Sequence, residues 1–228
     1  MLKPMSVPID RVSTALNGFA GDVIYVHGLW MSGGESVVLR RRLEKAFGFR
    51  VHPFHYRAAS SAMTEITARL QGFVRELRSP TVHFLGHSLG GLVIYRFLER
   101  YPDQPPGRVV FMGTPCVASL AAVRASHIRP VAALMGKPVA EELLRPRERR
   151  WTINRDLGII AGTQPLGVGR FIARFEEECD GTIAVSETRL PGATDHIALP
   201  VSHLGMLMSA RVARETALFL QKGRFSLG

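Results

Sequence analysis

Short apolar runs alternate with amphipathic helical stretches along most of this chain, and that alternation constrains the fold before any motif is read. Val23-Ile24-Tyr25-Val26 is a β-branched and aromatic run of the kind that forms a buried strand. Residues 35–47 then place Leu39, Leu43, Ala46 and Phe47 on one helix face. Val51 to Tyr56 reads as a second strand. Residues 61–77 carry Ile66, Leu70, Phe73, Val74 and Leu77 on one stripe, with Arg69, Arg75, Glu76 and Arg78 outside it. Thr81 to Leu85 predicts a third strand, 89–100 a third helix and Arg108 to Met112 a fourth strand. Leu157 to Ala161 and His196 to Val201 add two more, before a last helix near 205–221. Strands alternating with helices predict an α/β fold, a mainly parallel sheet of about six strands covered by helices on both faces. Ligands in such sheets bind at the carboxyl ends of the strands, so function is sought in the residues just after each strand.

The rhythm breaks once. Residues 116–156 hold no convincing strand, are punctuated by Pro130, Pro138 and Pro146, and end near Arg145, Arg147, Arg149 and Arg150. The reading is a single domain over 1–228, with 116–156 as a helical cap or lid inserted within it. At 46% hydrophobic and 21% charged residues the chain is too apolar to be disordered. No apolar stretch reaches the roughly 18 residues of a transmembrane helix. The first ten residues lack the apolar run of a secretory signal, so the expected location is cytoplasmic. Cys116 and Cys179 do not make a disulfide framework and are expected to be free thiols, with a single bridge between them as the alternative. The net charge of +10 raises three candidate partners: nucleic acid, an anionic membrane surface or an acidic substrate.

After the third strand comes Gly86-His87-Ser88-Leu89-Gly90-Gly91, a G-x-S-x-G pattern between strand and helix. A serine on such a turn projects its hydroxyl from a strained backbone, and the flanking glycines let strand and helix approach closely. The helix start behind Ser88 offers unpaired N–H groups to developing negative charge. After the first strand comes His27-Gly28-Leu29-Trp30. A Leu29 N–H there and that of Leu89 are the candidate oxyanion donors. Trp30 and His87 are the candidate pocket-lining side chains, Trp30 having a core position as its alternative. His27, closing a buried strand, reads as a loop-holding residue.

A serine needs a base, and the base an orienting acid. Downstream of Ser88 lie His127, His196 and His203. His203 follows the last strand directly and precedes the last helix, which favours it. His196 begins the strand, and His127 comes too early for the usual order of serine, acid, histidine. Asp180, on an Asp-Gly-Thr-Ile turn, is the preferred acid over Asp195, which sits at the wrong end of the last strand. No metal or organic cofactor is expected. There is no H-E-x-x-H or C-x-x-C, His52 and His55 point to opposite sides of a strand, and Gly167-Val-Gly169 is a lone G-x-G.

Val-Ile-Tyr-Val-His-Gly at 23–28, Gly-His-Ser-Leu-Gly-Gly at 86–91, Gly-Thr-Pro at 113–115, Asp-Gly-Thr-Ile at 180–183 and Ser-His-Leu-Gly-Met-Leu at 202–207 occur in family order. In these motifs the chain resembles the α/β-hydrolase superfamily, within it the lipase/esterase branch. The Leu190-Pro-Gly-Ala193 stretch adds a likeness to small Bacillus-type lipases, and the GPI-inositol-deacylase-like domain is a more distant look-alike. The resemblance implies Ser88 as nucleophile, His203 as base, Asp180 as acid and the Leu29 and Leu89 N–H groups as the oxyanion hole of an enzyme cleaving small-molecule or lipid esters. The 116–156 segment is longer than in the smallest lidless lipases, a departure from their open-pocket pattern. A thioesterase or acyltransferase would use the same triad. A non-catalytic scaffold would be expected to have lost a triad member, and none is missing. Nucleic-acid binding is not expected, because Arg40–Arg42, Arg145–Arg150, Arg211 and Arg214 are scattered without aromatic interleaving. The loops 27–30, 86–91, 180–183 and 202–205 contain no Lys or Arg. The basic excess therefore belongs to helix faces and the cap, where 145–150 would support weak association with an anionic membrane.

Overall fold

The computed structural model describes residues 20–57, 60–117, 142, 149–166 and 177–226. Six strands form one sheet: β1 (Gly21–Val26), β2 (Phe49–Phe54), β3 (Val82–His87), β4 (Val109–Met112), β5 (Leu157–Gly162) and β6 (Asp195–Leu199). Their order is β2-β1-β3-β4-β5-β6, and every neighbouring pair is parallel. The four inner strands are buried along their whole length, as apolar runs covered on both faces require. The outermost strands β2 and β6 are only partly buried, and Pro53 lies in β2, where a missing N–H is tolerated.

Alternate residues of each strand feed opposite cores. Ile24, Val26, Phe84 and Phe111 meet α2 (Met63–Leu77) through Ile66, Leu70 and Val74, and α3 (Leu89–Arg100) through Leu92 and Phe97. Val23, Tyr25, Leu85 and Val110 meet α1 (Val37–Phe47) through Leu39 and Leu43, and α5 (Ala210–Lys222) through Val212, Phe219 and Leu220. Among the described residues between β5 and β6 is a single-turn helix, α4 (Val185–Thr188).

The expected elements are present with shifted ends. The second strand stops at Phe54, which leaves 55–57 as loop. The expected last helix is two pieces, a 3-10 turn over Gly205–Met208 and then α5, because the Ser209 hydroxyl accepts from the Val212 N–H and caps a new helix start. Most of the expected cap, 118–141 and 143–148, lies outside the described residues. Its described parts are tied into the fold. Arg149 is buried and donates to the Cys116 carbonyl at 2.9 Å and to the Glu142 carboxylate at 2.9 Å. Glu142 also accepts from Arg96 of α3 at 2.8 Å. Arg149 is therefore no part of a solvated basic face, because its guanidinium is spent on a buried carboxylate and two carbonyls. Both cysteines are free and buried. No helix among the described residues is long and apolar enough to cross a membrane.

Candidate active site

β3 delivers the chain to Ser88, whose φ of 56° and ψ of −125° lie where a side-chain-bearing residue is strained. Two hydrogen bonds hold the turn: the Ser88 N–H donates to the Met112 carbonyl at 2.9 Å, and the Gly91 N–H to the Ser88 carbonyl at 3.1 Å. The glycines are there for close approach. A Cβ on Gly90 would stand 2.0 Å from the Val26 carbonyl oxygen, and one on Gly86 would stand 2.6 Å from Gly91 Cα. Leu89 is the first residue of α3, so its N–H has no partner within the helix and carries part of the positive end of the helix dipole.

Asp180 lies between β5 and β6, His203 follows β6, and the two side chains meet directly. His203 Nδ1 donates to Asp180 Oδ2 at 2.6 Å. Asp180 Oδ1 accepts from the N–H groups of Thr182 at 2.9 Å and Ile183 at 2.7 Å, while the Asp180 carbonyl accepts from His203 N–H at 2.8 Å. A buried carboxylate held by so many donors fixes the tautomer of the ring it faces: Nδ1 carries the proton and Nε2 is left as the free face.

Two links bring this pair to the serine. Gly113 follows Met112, the acceptor of the Ser88 N–H, and a Cβ on it would stand 3.0 Å from both Asp180 Oδ2 and His203 Nδ1. His87, next to Ser88, donates from Nε2 to the His203 carbonyl at 2.9 Å, with the two rings 4.7 Å apart. That placement corrects the expectation that His87 lines a pocket. Its side chain is fully buried beneath the site, and burial pushes its pKa down to about 3, so the ring is neutral. The rivals are engaged elsewhere. His196 bonds the Thr188 hydroxyl at 2.9 Å, and Asp195, at the amino end of β6, accepts from the Phe225 N–H at 2.8 Å. His127 lies outside the described residues.

The loop after β1 closes the other side. His27 is buried, donates from Nδ1 to the Gly28 carbonyl at 2.8 Å and stacks on Tyr56 at 4.3 Å, which makes it a loop-holder. A Cβ on Gly28 would stand 3.0 Å from Ser88 Cβ and 3.3 Å from Met31 Sδ, so the backbone leading into Leu29 passes against the serine. Trp30 is 64% exposed, not core, and lines a cleft of about 530 Å³ with Met31, Ser32, Tyr56, Arg57 and Arg69. The far wall of this cleft carries no sequence signal, because the apolar pattern of the second strand runs on through Tyr56. Exposed Trp30, Val117, Leu166, Leu204 and Met208 all follow strand ends, so apolar side chains surround the same end of the sheet. Among the described residues no group of His, Cys, Asp and Glu is arranged to hold a metal ion.

Residues 23–209 match the family model of the alpha/beta hydrolase family, and the chain belongs to that family. Lipases and esterases stand among the proteins it is similar to. The (lyso)-N-acylphosphatidylethanolamine lipase of Mus musculus is 31% identical over 100 residues, which are 42% of this chain and 28% of that protein. The match thus spans less than a third of that relative's length. The mature lipase BlEst2 of Bacillus licheniformis superposes with a TM-score of 0.70 at 17% identity, covering 90% of this chain and 93% of that one. The RedJ thioesterase of Streptomyces coelicolor superposes with a TM-score of 0.57 at 12% identity, covering 96% and 90%. At these identities the structural likenesses speak for the fold.

Proposed function

We propose that the chain is a serine hydrolase that cleaves carboxylic esters through an acyl-enzyme intermediate. The observation that carries this reading is the 2.6 Å Asp180–His203 bond, packed on Gly113 beside the strand end that holds Ser88. Asp180 fixes the His203 tautomer, leaving Nε2 to take the Ser88 proton as the hydroxyl oxygen attacks the acyl carbon. The Leu29 and Leu89 N–H groups receive the oxyanion that forms. His203 then gives its proton to the leaving alcohol. Water, deprotonated by His203, attacks the acyl-serine, and the carboxylic acid departs as Ser88 regains its proton. The exposed apolar side chains around the site support a lipid or other amphiphilic ester, and with the net charge of +10 they support weak association with anionic membranes.

The test is hydrolysis of p-nitrophenyl esters across acyl lengths, with Ser88→Ala beside the parent and fluorophosphonate labelling of both. Loss of the serine is expected to lower kcat by roughly 10⁴-fold or more and to abolish labelling. Full activity in Ser88→Ala would refute the mechanism. A folded parent that neither labels nor turns over any ester would favour a scaffold, and a strong preference for acyl thioesters would move the reading to a thioesterase.

A further inference from the structure

The cleft beside Ser88 has an uneven chemistry. Trp30, Met31 and Tyr56 give it an apolar lining, and Arg57 and Arg69 line it as well. Met31 Sδ and Ser88 Cβ flank the same point over Gly28, which joins the cleft to the serine. Among the described residues neither arginine has a carboxylate partner: Arg69 donates to the His55 carbonyl at 3.2 Å, and Arg57 has no side-chain bond. Glu65, four residues before Arg69, and Glu35, three residues after the cleft residue Ser32, accept hydrogen bonds elsewhere. Glu35 accepts from the Tyr25 hydroxyl and the Gly33 N–H, and Glu65 from the Ser61 hydroxyl.

The contrast is the polar cavity of about 700 Å³ at the amino ends of the strands. There Arg108 is spent on Asp156 and on the Leu220 carbonyl, and Arg155 on the carbonyls of Val82, Gly107 and Pro105. Those arginines hold the fold together. Arg57 and Arg69 are two exposed guanidiniums without a carboxylate partner among the described residues, Arg69 bonded through one nitrogen to the His55 carbonyl, and they line an apolar groove whose low-dielectric walls strengthen the pull of such charges on an anion.

We infer that this cleft selects esters carrying an anionic group, a phosphate or a carboxylate, which Arg57 and Arg69 hold while the apolar part lies along Trp30, Met31 and Tyr56. The inference rests on the ester-hydrolase reading and names its substrate class. Both guanidiniums donate to the anion, and neither takes part in the bond changes at Ser88.

Two measurements test it. The first compares kcat/KM for a monoacylglycerol, the matching acylglycerol phosphate and the matching acyl glycerate, all with one acyl chain. The anionic-to-neutral ratio is expected to be about tenfold or more in the parent, to fall towards one in Arg57→Ala/Arg69→Ala, and to persist in Arg75→Ala, a charge change elsewhere on α2. Phosphate outrunning carboxylate, or the reverse, identifies the group. The second measures binding of dodecyl phosphate and dodecanoate to Ser88→Ala by calorimetry below their micelle concentrations, with and without the two arginine changes. The arginine changes are expected to weaken binding about tenfold. A parent that hydrolyses the neutral ester with a ratio near one, or binding that ignores both arginines, overturns the inference and leaves the hydrolase reading standing. Failure of every ester together with arginine-dependent binding would overturn the hydrolase reading instead.

Discussion

His87 and His83 sit on β3 with their rings inside the protein, and both are held neutral by burial. Desolvation brings the pKa of His87 down to about 3 and that of His83 to about 4, with Arg108 and Arg155 adding repulsion at His83. In the unfolded chain both return to the ordinary value near 6.5. Below that pH the unfolded state takes up protons that the folded state refuses. The stability is thus whole above about pH 6.5 and is lost as the pH falls towards 4 and then 3. For His83 alone the loss amounts to about 3 kcal/mol over that interval. Urea midpoints at pH 7.5 and 4.5 for the parent and for His83→Asn check this. The parent should weaken more than the variant on acidification, and an equal fall in both would remove His83 as a source.

At the scale of elements, two glycines predict opposite outcomes. Gly90 lies in the first turn of α3, where the helix leans on β1, and a methyl there would meet the Val26 carbonyl oxygen at 2.0 Å. Gly90→Ala must push α3 off β1, and a loss of about 3 kcal/mol is expected, with ester hydrolysis falling alongside. Gly72 lies within α2 and faces open space, so Gly72→Ala should gain up to about 1 kcal/mol from helix propensity. Thermal midpoints of the two variants, moving in opposite directions, would bear this out. The elements themselves are largely legible in the sequence. The third helix, expected over 89–100, runs Leu89–Arg100, because the glycine-rich turn and the apolar stripe both mark its bounds. The short pieces are not legible. Val185–Thr188 is a single turn, too brief for a periodicity to show. The break at Ser209 depends on one side-chain cap within a continuous apolar pattern. The buried Glu142–Arg149 pair is invisible for a different reason. A run rich in arginine reads as solvated, and nothing local tells that one member meets a carboxylate under α3.

The site is a property of the whole molecule. Asp180 and His203 can be proposed from the sequence because His203 directly follows a strand and Asp180 lies on an Asp-Gly-Thr-Ile turn 23 residues before it, and the fold brings the two side chains together. The cleft cannot be named, since its walls come from the loops after β1 and β2 and from α2, which share no motif. Long-range closure also sets a kinetic expectation. The contact between His87 and His203 spans 116 residues, and contacts of that separation form late because the chain must first surrender much of its freedom. During refolding from urea, helical circular dichroism should return before fluorophosphonate labelling does. Labelling that returns with the first structural phase would contradict that order.

The position of β6 carries this from the test tube to the ribosome. Among the described residues it is the last strand in sequence and occupies one edge of the sheet, and His203 comes after it. A growing chain that has already built β1, β3 and the turn at Ser88 still lacks its imidazole. Under the proposed mechanism elongation would then work as a safety catch: the half-made protein would fold around its serine before the base that activates it had been made.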